Sequence, residues 1–584
     1  MESTRAPAAE IRAAAAPSPW PARALALLVA LVVTGPALAP GFVLLRDMVF
    51  VPQQDVDLDA LGLGGGLPRA VPIDAVMGLL TAVVPGAVVQ KFVLVAAVFL
   101  AVLGAARLVP PGADGRRGLA AGVAALVYGW SPFVADRLLI GHWTLLLAVG
   151  SLPWIARAAL LLRAGVPGAW PRLILACALA ALTPTGAVLA VGVVLALAGP
   201  RRMLAAGTVV VFALPWVLAG ALHPSAGVSD PAGVTAFAAR GESWGGPLLA
   251  VLGTGGLWNA GAVPPSRASL VAPLVTAVLV ALSAYGWFAG GGRRGPLRGL
   301  LPLGVVGVLL AVAGTIPGVA RLLEVAVATI PGAGLLRDGQ KWAAWWALAL
   351  AVGAGLGVRL LVEQVRARLG PLAAGTLAVA VLLLPVAALP DLAWGVGSRL
   401  QPVAYPADWQ RVRTAVAADP HPGDVLVLPF GAYRAFAWNG SRPQLDPAPR
   451  WLTRPTVTDD TLVVSGRPVA GEDRRAREVG AAAGDPARLA ALGIGWVLVE
   501  RGTPGRPVPA AVLGLPRAVH GPDLDLYRVP GAVSAPVPAP VRVIVVVAAH
   551  ACALGLVVGA ALWIFVRAFT LALRRRPLPK RVKA

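Results

Sequence analysis

The tetrapeptide Leu-Leu-Arg-Asp occurs twice in this apolar chain, and each copy brings an arginine and an aspartate to a hydrophobic run. The first copy ends at Arg46 and Asp47, and the second ends at Arg337 and Asp338, three residues before Lys341. A carboxylate such as that of Asp47 suits a general base that takes a proton from a hydroxyl group. Guanidinium and ammonium groups such as those of Arg337 and Lys341 bind phosphate oxygens. The residue types therefore suit a reaction in which a hydroxyl attacks and a phosphate departs.

The second copy carries its basic residues where a membrane helix is predicted to begin. Arg337 and Lys341 are four residues apart, so such a helix would place both on one face. Asp338 and Gln340 lie between them and are expected to hold them in place. The alternative is that the two cations reach toward the lipid head groups beside an aromatic belt formed by the tryptophans that follow, Trp342, Trp345 and Trp346.

Three aspartates on alternate residues form another candidate site in the run QQDVDLD. Asp55, Asp57 and Asp59 would share one face of an extended segment. Carboxylates placed in this way repel one another, and either take up protons or invite a divalent cation such as Mg²⁺ or Mn²⁺. A solvated acidic edge, or a helix cap before the following ALGLGG, is the alternative interpretation.

Two further polar segments are candidates for lining a sugar or acceptor site. VADRLLIGHW supplies Asp136, Arg137 and His142, and AARGESWGG supplies Arg240 and Glu242. For His142 the alternative is an interfacial histidine beside a belt tryptophan. For Asp136 and Arg137 the alternative is that the two side chains simply pair with each other.

The composition predicts which elements must position these residues. Of the 584 residues 57% are hydrophobic and only 13% are charged, and the mean hydropathy is +0.76, which is typical of a polytopic α-helical membrane protein. The two cysteines, Cys177 and Cys552, lie in separate apolar runs, so a disulfide framework or a zinc site is excluded by count.

About 20 apolar residues are needed to cross the hydrocarbon core of a bilayer. Residues 173–199 are either one kinked helix or a hairpin that turns at 183–185. The other runs of suitable length are 24–44, 88–107, 118–133, 142–162, 203–221, 269–290, 300–318, 342–360, 371–389 and 541–568.

The distribution of arginine favours the hairpin. The basic clusters between the runs fall on one side of the membrane only if 173–199 crosses an even number of times, which predicts about twelve helices with both termini in the cytoplasm. The same clusters account for the net charge of +22, through contact with anionic lipids of the plasma membrane. A nucleic-acid partner is not expected, because no basic patch is interleaved with stacking aromatic residues.

The resulting domain organisation is a cytoplasmic N-terminus (1–23), a transmembrane domain (24–389), an external domain (390–540), a last helix (541–568) and a basic cytoplasmic tail (569–584). In the external domain, strand-like runs at 425–430, 495–500 and 525–529 and a helical run at 485–494 predict a small α/β fold. Its polar loop 430–451 either faces a glycan or packs on the membrane domain. In the first external loop, 46–87, the apolar spacing from Ile73 to Leu80 predicts a helix on the membrane surface.

This layout resembles the GT-C fold of glycosyltransferases that use polyprenyl-phosphate sugars. In that family the catalytic aspartate typically lies in the first external loop, close to the end of helix one, a position that Asp47 occupies here. The stretch LRDGQKW also resembles an R-(N/D)-x-x-K-(F/W) motif of actinobacterial arabinofuranosyltransferases of the AftD type. The resemblance implies that Asp47 is the catalytic base and that Arg337 and Lys341 bind the donor phosphate.

Three classes of function are consistent with these features. The first is an inverting glycosyltransferase that moves a sugar, arabinofuranose by resemblance, from a polyprenyl-phosphate donor to a glycan or lipid of the cell envelope. The second is a transporter or flippase of lipid-linked sugars, which should show repeated halves with broken helices. The third is a non-catalytic membrane protein of envelope assembly, which would tolerate Asp47→Asn.

Overall fold

The computed structural model describes residues 20–574 except 113–116, 224–226, 291, 293–294 and 535–536. The predicted cytoplasmic N-terminus therefore lies outside the described residues up to residue 19, and the predicted basic tail lies outside them from residue 575.

Helices dominate the first two thirds of the described chain. In chain order they are α1 (Trp20–Thr34), α2 (Ile73–Thr81), α3 (Gly86–Leu108), α4 (Gly118–Gly129), α5 (Pro132–Ile140), α6 (Trp143–Arg163), α7 (Ala169–Ala180), α8 (Pro184–Leu197), α9 (Arg202–Ala221), α10 (Ala232–Ala236), α11 (Gly246–Leu252), α12 (Val271–Phe288), α13 (Leu300–Val312), α14 (Pro317–Thr329) and α15 (Ala343–Ala388). The predicted helix in the first loop is present as α2.

By length and composition, eight helical segments of the described residues are able to cross a membrane, or nine if α13 and α14 count as one bent span. The chain is thus a multi-pass membrane protein with fewer clear spans than the twelve expected. One reason is the predicted run 300–318, because the chain bends by 89° between Thr315 and Pro317. Another lies at 342–389, which enters this count as one segment although it contains two helices that meet at Gly370.

The two helices expected at 342–360 and 371–389 are both present within α15, because residues of each contact the same part of α4: Gly355 lies against Ala120, and Leu382 lies against Gly122. The two helices meet at Gly370, whose φ of 85° and ψ of 176° are not helical. Good helix formers in GVRLLVEQVRARLG extend the first of these helices up to the break, so the connection between the two is a sharp turn and not a loop.

The interruption expected within 173–199 is present. Helix α7 ends at Ala180 and α8 begins at Pro184, and the hydroxyl of Thr183 accepts a hydrogen bond from the amide of Gly186 at 3.0 Å. The chain then returns to the end of α6, where the Arg201 guanidinium donates to the carbonyl of Leu162. The two helices have 12 and 14 residues. At 1.5 Å per residue they are about 18 and 21 Å long, which is short for a full crossing.

The later part of the chain contains a sheet with flanking helices, which we call the sheet unit (residues 402–529). After a short left-handed turn at Ala393–Ser398, its helices are α16 (Ala407–Ala418), α17 (Ala448–Trp451), α18 (Arg474–Ala481), α19 (Pro486–Ala491) and α20 (Ala510–Leu513). Helix α21 (Pro540–Arg574) follows the unit and includes the expected last apolar run.

The strands of the sheet unit form one five-stranded sheet and several short pairs. The strands are β1 (Phe42–Val43), which precedes the unit, β2 (Pro402–Val403), β3 (Asp424–Leu428), β4 (Tyr433–Arg434), β5 (Gln444–Leu445), β6 (Thr456–Val457), β7 (Leu462–Val464), β8 (Arg467–Val469), β9 (Ile494–Glu500), β10 (Arg517–His520) and β11 (Leu524–Arg528). The sheet order is β10-β11-β9-β3-β6, with β3 parallel to β9 and β6. The three predicted strands are thus the central ones, β3, β9 and β11.

The first loop and the sheet unit are joined by backbone pairing. Strand β1 pairs antiparallel with β2, and the hydroxyl of Tyr405 donates to the carbonyl of Phe50 at 2.9 Å. The Tyr405 ring also packs against Trp409 and Trp451, within 4.6 to 5.9 Å between ring centroids. This junction places polar side chains of the sheet unit directly over the segment that follows α1.

Candidate active site

Asp47 is held by its backbone between the membrane helices and the sheet unit. Its amide donates to the carbonyl of Ile140 at 3.1 Å, at the end of α5. The preceding Arg46 has a φ of 48°, which reverses the chain, and its amide donates to the carbonyl of Pro443 at 2.6 Å. Its own carbonyl accepts from Leu445 at 2.8 Å. A non-glycine residue at positive φ is strained by about 1–3 kcal/mol. The hydrogen bonds to Ile140, Pro443 and Leu445 must therefore hold Arg46 in this conformation.

Gly141 allows the end of α5 to lie directly against the backbone of Asp47 and Met48. Its φ is 86°, and a Cβ atom at this position would lie 2.3 Å from the amide nitrogen of Met48 and 2.8 Å from that of Asp47. Only glycine fits both the left-handed backbone and the contact. Gly141 ends α5, so the next residue, His142, leaves the helix beside Asp47.

His142 connects Asp47 to a buried arginine. Its Nε2 lies 2.9 Å from Oδ2 of Asp47, and its Nδ1 lies 2.8 Å from Nη1 of Arg137. Since a guanidinium can only donate, Nδ1 must accept, and the ring proton belongs on Nε2, where it donates to the carboxylate. The geometry thus fixes the histidine as the neutral tautomer that orients Asp47.

Arg137 extends this chain toward the second Leu-Leu-Arg-Asp copy. Its side chain is fully buried, and Nη1 donates to Oδ2 of Asp338 at 2.9 Å. Its Nη2 donates to Oε1 of Gln340, whose own amide donates to the carbonyl of Gly255 at 3.2 Å. Five residues singled out in the sequence therefore form one hydrogen-bonded network, which we call the site network: Asp47, His142, Arg137, Asp338 and Gln340. Asp136 and Arg137 do not form the ion pair considered as the alternative.

The sheet unit contributes a residue that the sequence analysis did not single out. The hydroxyl of Tyr433 donates to Oδ1 of Asp47, so both carboxylate oxygens have a donor. Its neighbour Arg434 is buried between Glu500 and Asp446 and anchors this strand. The only sequence signal for Tyr433 was its place in the polar loop 430–451, which packs on the membrane domain.

The environment favours an ionised Asp47. Removal from bulk water raises the pKa of the carboxyl, but the interaction with His142, the hydrogen bond from Tyr433 and the charge of Arg450 outweigh it, so the pKa lies below its ordinary value. The Asp47 side chain remains 30% exposed. It is therefore a charged, oriented carboxylate that a second molecule is able to reach.

Arg337 and Lys341 are arranged differently from the expected single helix face. Helix α15 begins at Ala343, and the two residues lie on or beside separate 3₁₀ turns before it. Nη2 of Arg337 forms an ion pair with Oε1 of Glu472 in the sheet unit at 2.9 Å. Lys341 is buried, and the charges of Asp338 and Arg337 act on it. Local 3₁₀ turns and a distant carboxylate, neither visible in the motif, determine these positions.

Asp136, Arg240 and Glu242 lie outside the site network. Glu242 accepts from Nε of Arg267 at 2.7 Å, and both side chains are buried. Asp136 is fully buried, where the charges of Glu242 and Arg267 act on it. Arg240 is exposed. Of these predicted site-lining residues, none belongs to the hydrogen-bonded network around Asp47.

The three alternate aspartates do not form the expected cation site. Oδ2 of Asp55 pairs with Nη2 of Arg413 at 2.7 Å, and Oδ1 of Asp57 caps the amide of Ala60 at 2.8 Å. Nowhere in the described part of the chain do three histidine, cysteine or acidic side chains converge as metal ligands. Arg413, 358 residues away, pairs with the first carboxylate, and the second caps the turn before Leu61, which agrees with the alternative interpretation of this run.

A cavity of about 290 Å³ lies between the first loop and the sheet unit, next to this site. Leu445 and Arg450 line it and connect it to Asp47, since Leu445 bonds to the Arg46 carbonyl and the charge of Arg450 acts on Asp47. Eight aspartates and three arginines line the cavity, which suits a ligand rich in hydroxyl groups. Asp47 itself is not among the lining residues, so the cavity reaches it only through Leu445 and Arg450.

No family model matches the chain, and no curated protein matches it significantly. Among solved structures it is similar to the arabinofuranosyltransferase AftD from Mycobacteria, with 17% identity and a TM-score of 0.53 over 88% of this chain and 40% of AftD. A variant of AftD gives 18% identity and a TM-score of 0.51 over 88% and 41%. The oligosaccharyltransferase AglB from Archaeoglobus fulgidus gives 9% and 0.39 over 82% and 69%.

The chain spans about 40% of the length of AftD. At this level of identity the likeness concerns the fold, which agrees with the resemblance drawn from the first loop and from LRDGQKW. The chain therefore has the GT-C fold, in the arrangement found in AftD.

Proposed function

We propose that this protein is an inverting membrane glycosyltransferase that moves a sugar from a polyprenyl-phosphate donor to a hydroxyl of a cell-envelope glycan or lipid. The observation that carries the proposal is the site network, which holds an ionised carboxylate at the start of the first loop of a GT-C fold. In the proposed topology the reaction occurs at the outer face of the plasma membrane. The sheet unit is then external and both termini are cytoplasmic. The bent span, the two short helices and the two helices within α15 bring the total to about twelve.

In the proposed reaction Asp47 takes the proton of the acceptor hydroxyl as its oxygen bonds to the anomeric carbon of the donor. The bond from that carbon to the phosphate oxygen breaks in the same step, and the polyprenyl phosphate leaves with its electrons. A single displacement of this kind inverts the anomeric centre. His142 keeps the carboxylate in one orientation, which lowers the entropic barrier of the reaction.

The departing phosphate needs a cation, because negative charge develops on its oxygens. Lys341 is one candidate, since the charge of Asp338 in the site network acts on it. Arg337 becomes a second ligand if the phosphate replaces Glu472 as its partner. We propose these two roles for Lys341 and Arg337.

The cavity beside Asp47 is proposed to hold the acceptor, because its carboxylates and guanidinium groups match hydroxyl donors and acceptors. An arabinofuranosyl donor is proposed from the likeness of fold to AftD.

The test is transfer by the purified full chain, reconstituted with a panel of radiolabelled polyprenyl-phosphate pentoses and hexoses and with fragments of envelope glycan. We expect one donor to give product, and we expect Asp47→Asn to lower its formation by at least about 100-fold, the contribution of general base catalysis. Glu324→Gln, which removes a surface carboxylate paired with Arg321, is the matched control and should retain activity. Undiminished transfer by the Asp47→Asn variant would contradict the proposal, as would movement of intact donor across the bilayer without any transfer.

A further inference from the structure

The cavity of about 290 Å³ between the first loop and the sheet unit, which we call the loop cavity, has an excess of negative charge. Eight aspartates and three arginines line it, a formal excess of five negative charges. Each of these arginines already has a carboxylate partner: Arg69 pairs with Asp460, Arg450 with Asp74 and Arg475 with Asp424. The described lining residues therefore leave no unpaired cation for an anionic ligand.

Asp59 shows how strongly this charge acts inside the loop cavity. Burial and the charges of Asp57 and Asp424 raise the pKa of its carboxyl group from 3.8 to about 7, although the charge of Arg475 acts in the opposite direction. Near neutral pH a large fraction of Asp59 is therefore protonated, and a protonated carboxyl group both donates and accepts hydrogen bonds. This part of the wall thus offers a donor without a positive charge, which suits a hydroxyl group better than an anion.

The side chain of Gln54 is a polar group of the loop cavity that has no partner. Gln54 lines the cavity and is only 7% exposed. Its backbone amide donates to the hydroxyl of Thr81 at 3.0 Å, but its side-chain amide has no hydrogen-bond partner among the described residues. A buried amide without a partner is costly, so a ligand that fills the cavity gains by pairing with it.

The backbone around Gln54 is fixed by contacts that do not involve its side chain. The carbonyl of Pro52 accepts from the amide of Gly86 at 2.9 Å, and the next side chain, Asp55, pairs with Arg413 at 2.7 Å. The Gln54 amide is therefore presented from a rigid segment, seven residues after Asp47 in the same loop. A polar group held in this way is able to select a ligand, because it does not have to be ordered when the ligand binds.

We propose that the loop cavity selects an acceptor sugar that carries no negative charge, and that Gln54 is the residue that recognises it. The Gln54 amide donates to one hydroxyl group of the sugar and accepts from a neighbouring one. The carboxylates of the wall accept from further hydroxyl groups, and they repel a sugar that bears a carboxylate or a phosphate. This inference rests on the proposed function, in which the cavity holds the acceptor, and adds the class of sugar and the residue that reads it.

The test measures binding of free sugars to the purified full chain in detergent, with no donor present, so it is separate from transfer. The probes are fluorescently labelled neutral trisaccharides of pentoses and hexoses. The neutral trisaccharide that binds most tightly is then compared with the same sugar oxidised to a carboxylate at its primary hydroxyl groups. We expect the oxidised form to bind at least about tenfold more weakly, because like charges oppose each other in the cavity.

Gln54→Met tests the recognition of the neutral sugar. This change keeps the length of the side chain and removes the amide, so binding should weaken at least about tenfold. The matched control is Gln53→Met, at an exposed neighbour that does not line the cavity, and it should leave binding unchanged. Gln54→Asn, which keeps an amide but shortens its reach, provides a second variant with the same expected direction if Gln54→Met does not fold.

Asp459→Asn tests the selection by charge. Oδ1 of Asp459 accepts from the amide of Thr461 at 2.9 Å, and an asparagine oxygen is able to do the same, so the variant removes a charge of the wall and keeps the turn. We expect it to reduce the difference in affinity between the neutral and the oxidised sugar. Glu478→Gln, at an exposed carboxylate of α18 outside the cavity, is the control and should leave that difference unchanged.

Three results would overturn the proposal: equal affinity of the wild type and Gln54→Met for the neutral sugar, equal affinity of the wild type for the neutral and the oxidised sugar, or no binding of any neutral probe. These results are distinct from failure of the proposed function. If the chain binds a neutral sugar through Gln54 but transfers nothing to it, the recognition holds and the proposed function fails. If the chain catalyses transfer but Gln54→Met leaves the KM for the acceptor unchanged, the recognition fails and the proposed function stands.

Discussion

Nε2 of His142 lies 2.9 Å from Oδ2 of Asp47, although the two residues are 95 positions apart in the chain. The contact exists because Gly141 ends α5 against the backbone of Met48. Arg137 sets the tautomer from the other side of the ring. A carboxylate that sequence alone marks as a candidate base thus acquires an orienting partner.

His142→Ala should lower the transfer activity proposed here. Loss of a hydrogen bond to a charged group costs about 1.5–3 kcal/mol, so kcat/KM should fall about 10- to 100-fold. The pH profile should also change. His142 helps hold the pKa of Asp47 below its ordinary value, so its removal raises that pKa, and the acid limb of the profile moves to higher pH as the base becomes protonated.

The pH–rate profile of this variant is compared with that of His142→Gln, whose amide is able to donate to Asp47. We expect partial rescue. A uniform loss of rate at every pH, without movement of the acid limb, would indicate that His142 only supports the fold.

Tyr433→Phe tests the contribution of the sheet unit. The variant removes one of the two donors to Asp47, so the acid limb should move in the same direction as for His142→Ala. The expected shift is smaller, because the interaction with His142 lowers the pKa of Asp47 more than the Tyr433 hydrogen bond does. Tyr285→Phe, at a tyrosine paired with Gln364 on α15, is the control and should leave the profile unchanged. If Tyr433→Phe and Tyr285→Phe gave identical pH–rate profiles, Tyr433 would have no role in setting the pKa of Asp47.

Gly141→Ala should destabilise the site and the fold together. The new Cβ would meet the Met48 amide at 2.3 Å, and the left-handed backbone adds strain of about 1–3 kcal/mol. The control is Gly440→Ala, which has a similar φ of 62° but no atom within 4 Å of a Cβ. Thermal unfolding in detergent should show a larger decrease in melting temperature for Gly141→Ala than for Gly440→Ala. Equal losses would mean that strain, and not the contact with the first loop, explains the requirement for glycine.

Asp59→Asn should stabilise the protein at alkaline pH and not at acid pH. Burial, with the charges of Asp57 and Asp424, raises the pKa of Asp59 from 3.8 to about 7. Between these two values the folded state binds more protons than the unfolded state, so stability falls as pH rises from about 4 to 7. The substitution removes this penalty. Melting temperatures at pH 4 and pH 8 measure the effect, with Glu363→Gln, at an exposed carboxylate of α15, as the control. An equal increase in melting temperature at pH 4 and at pH 8 would show that Asp59 is already ionised at pH 4.

Much of the site could be named from the sequence, but its pairings could not. Asp47, Arg137, His142, Asp338 and Gln340 stand out because polar residues are rare in an apolar chain and these lie next to helix ends. Their mutual contacts span up to 203 positions, so they depend on how α5, α6 and the turns before α15 pack. Tyr433 was missed for the same reason, since its partner lies 386 positions away.

The membrane class, the central strands of the sheet unit and the break near Thr183 could be predicted from residue order, because each follows from a local property such as run length, alternation or a proline. The contacts of His142 with Asp47, of Arg337 with Glu472 and of Asp55 with Arg413 could not, because they depend on how distant segments fold together. Ion pairs and hydrogen bonds form between side chains that the fold brings within about 3 Å, and no local pattern encodes that distance.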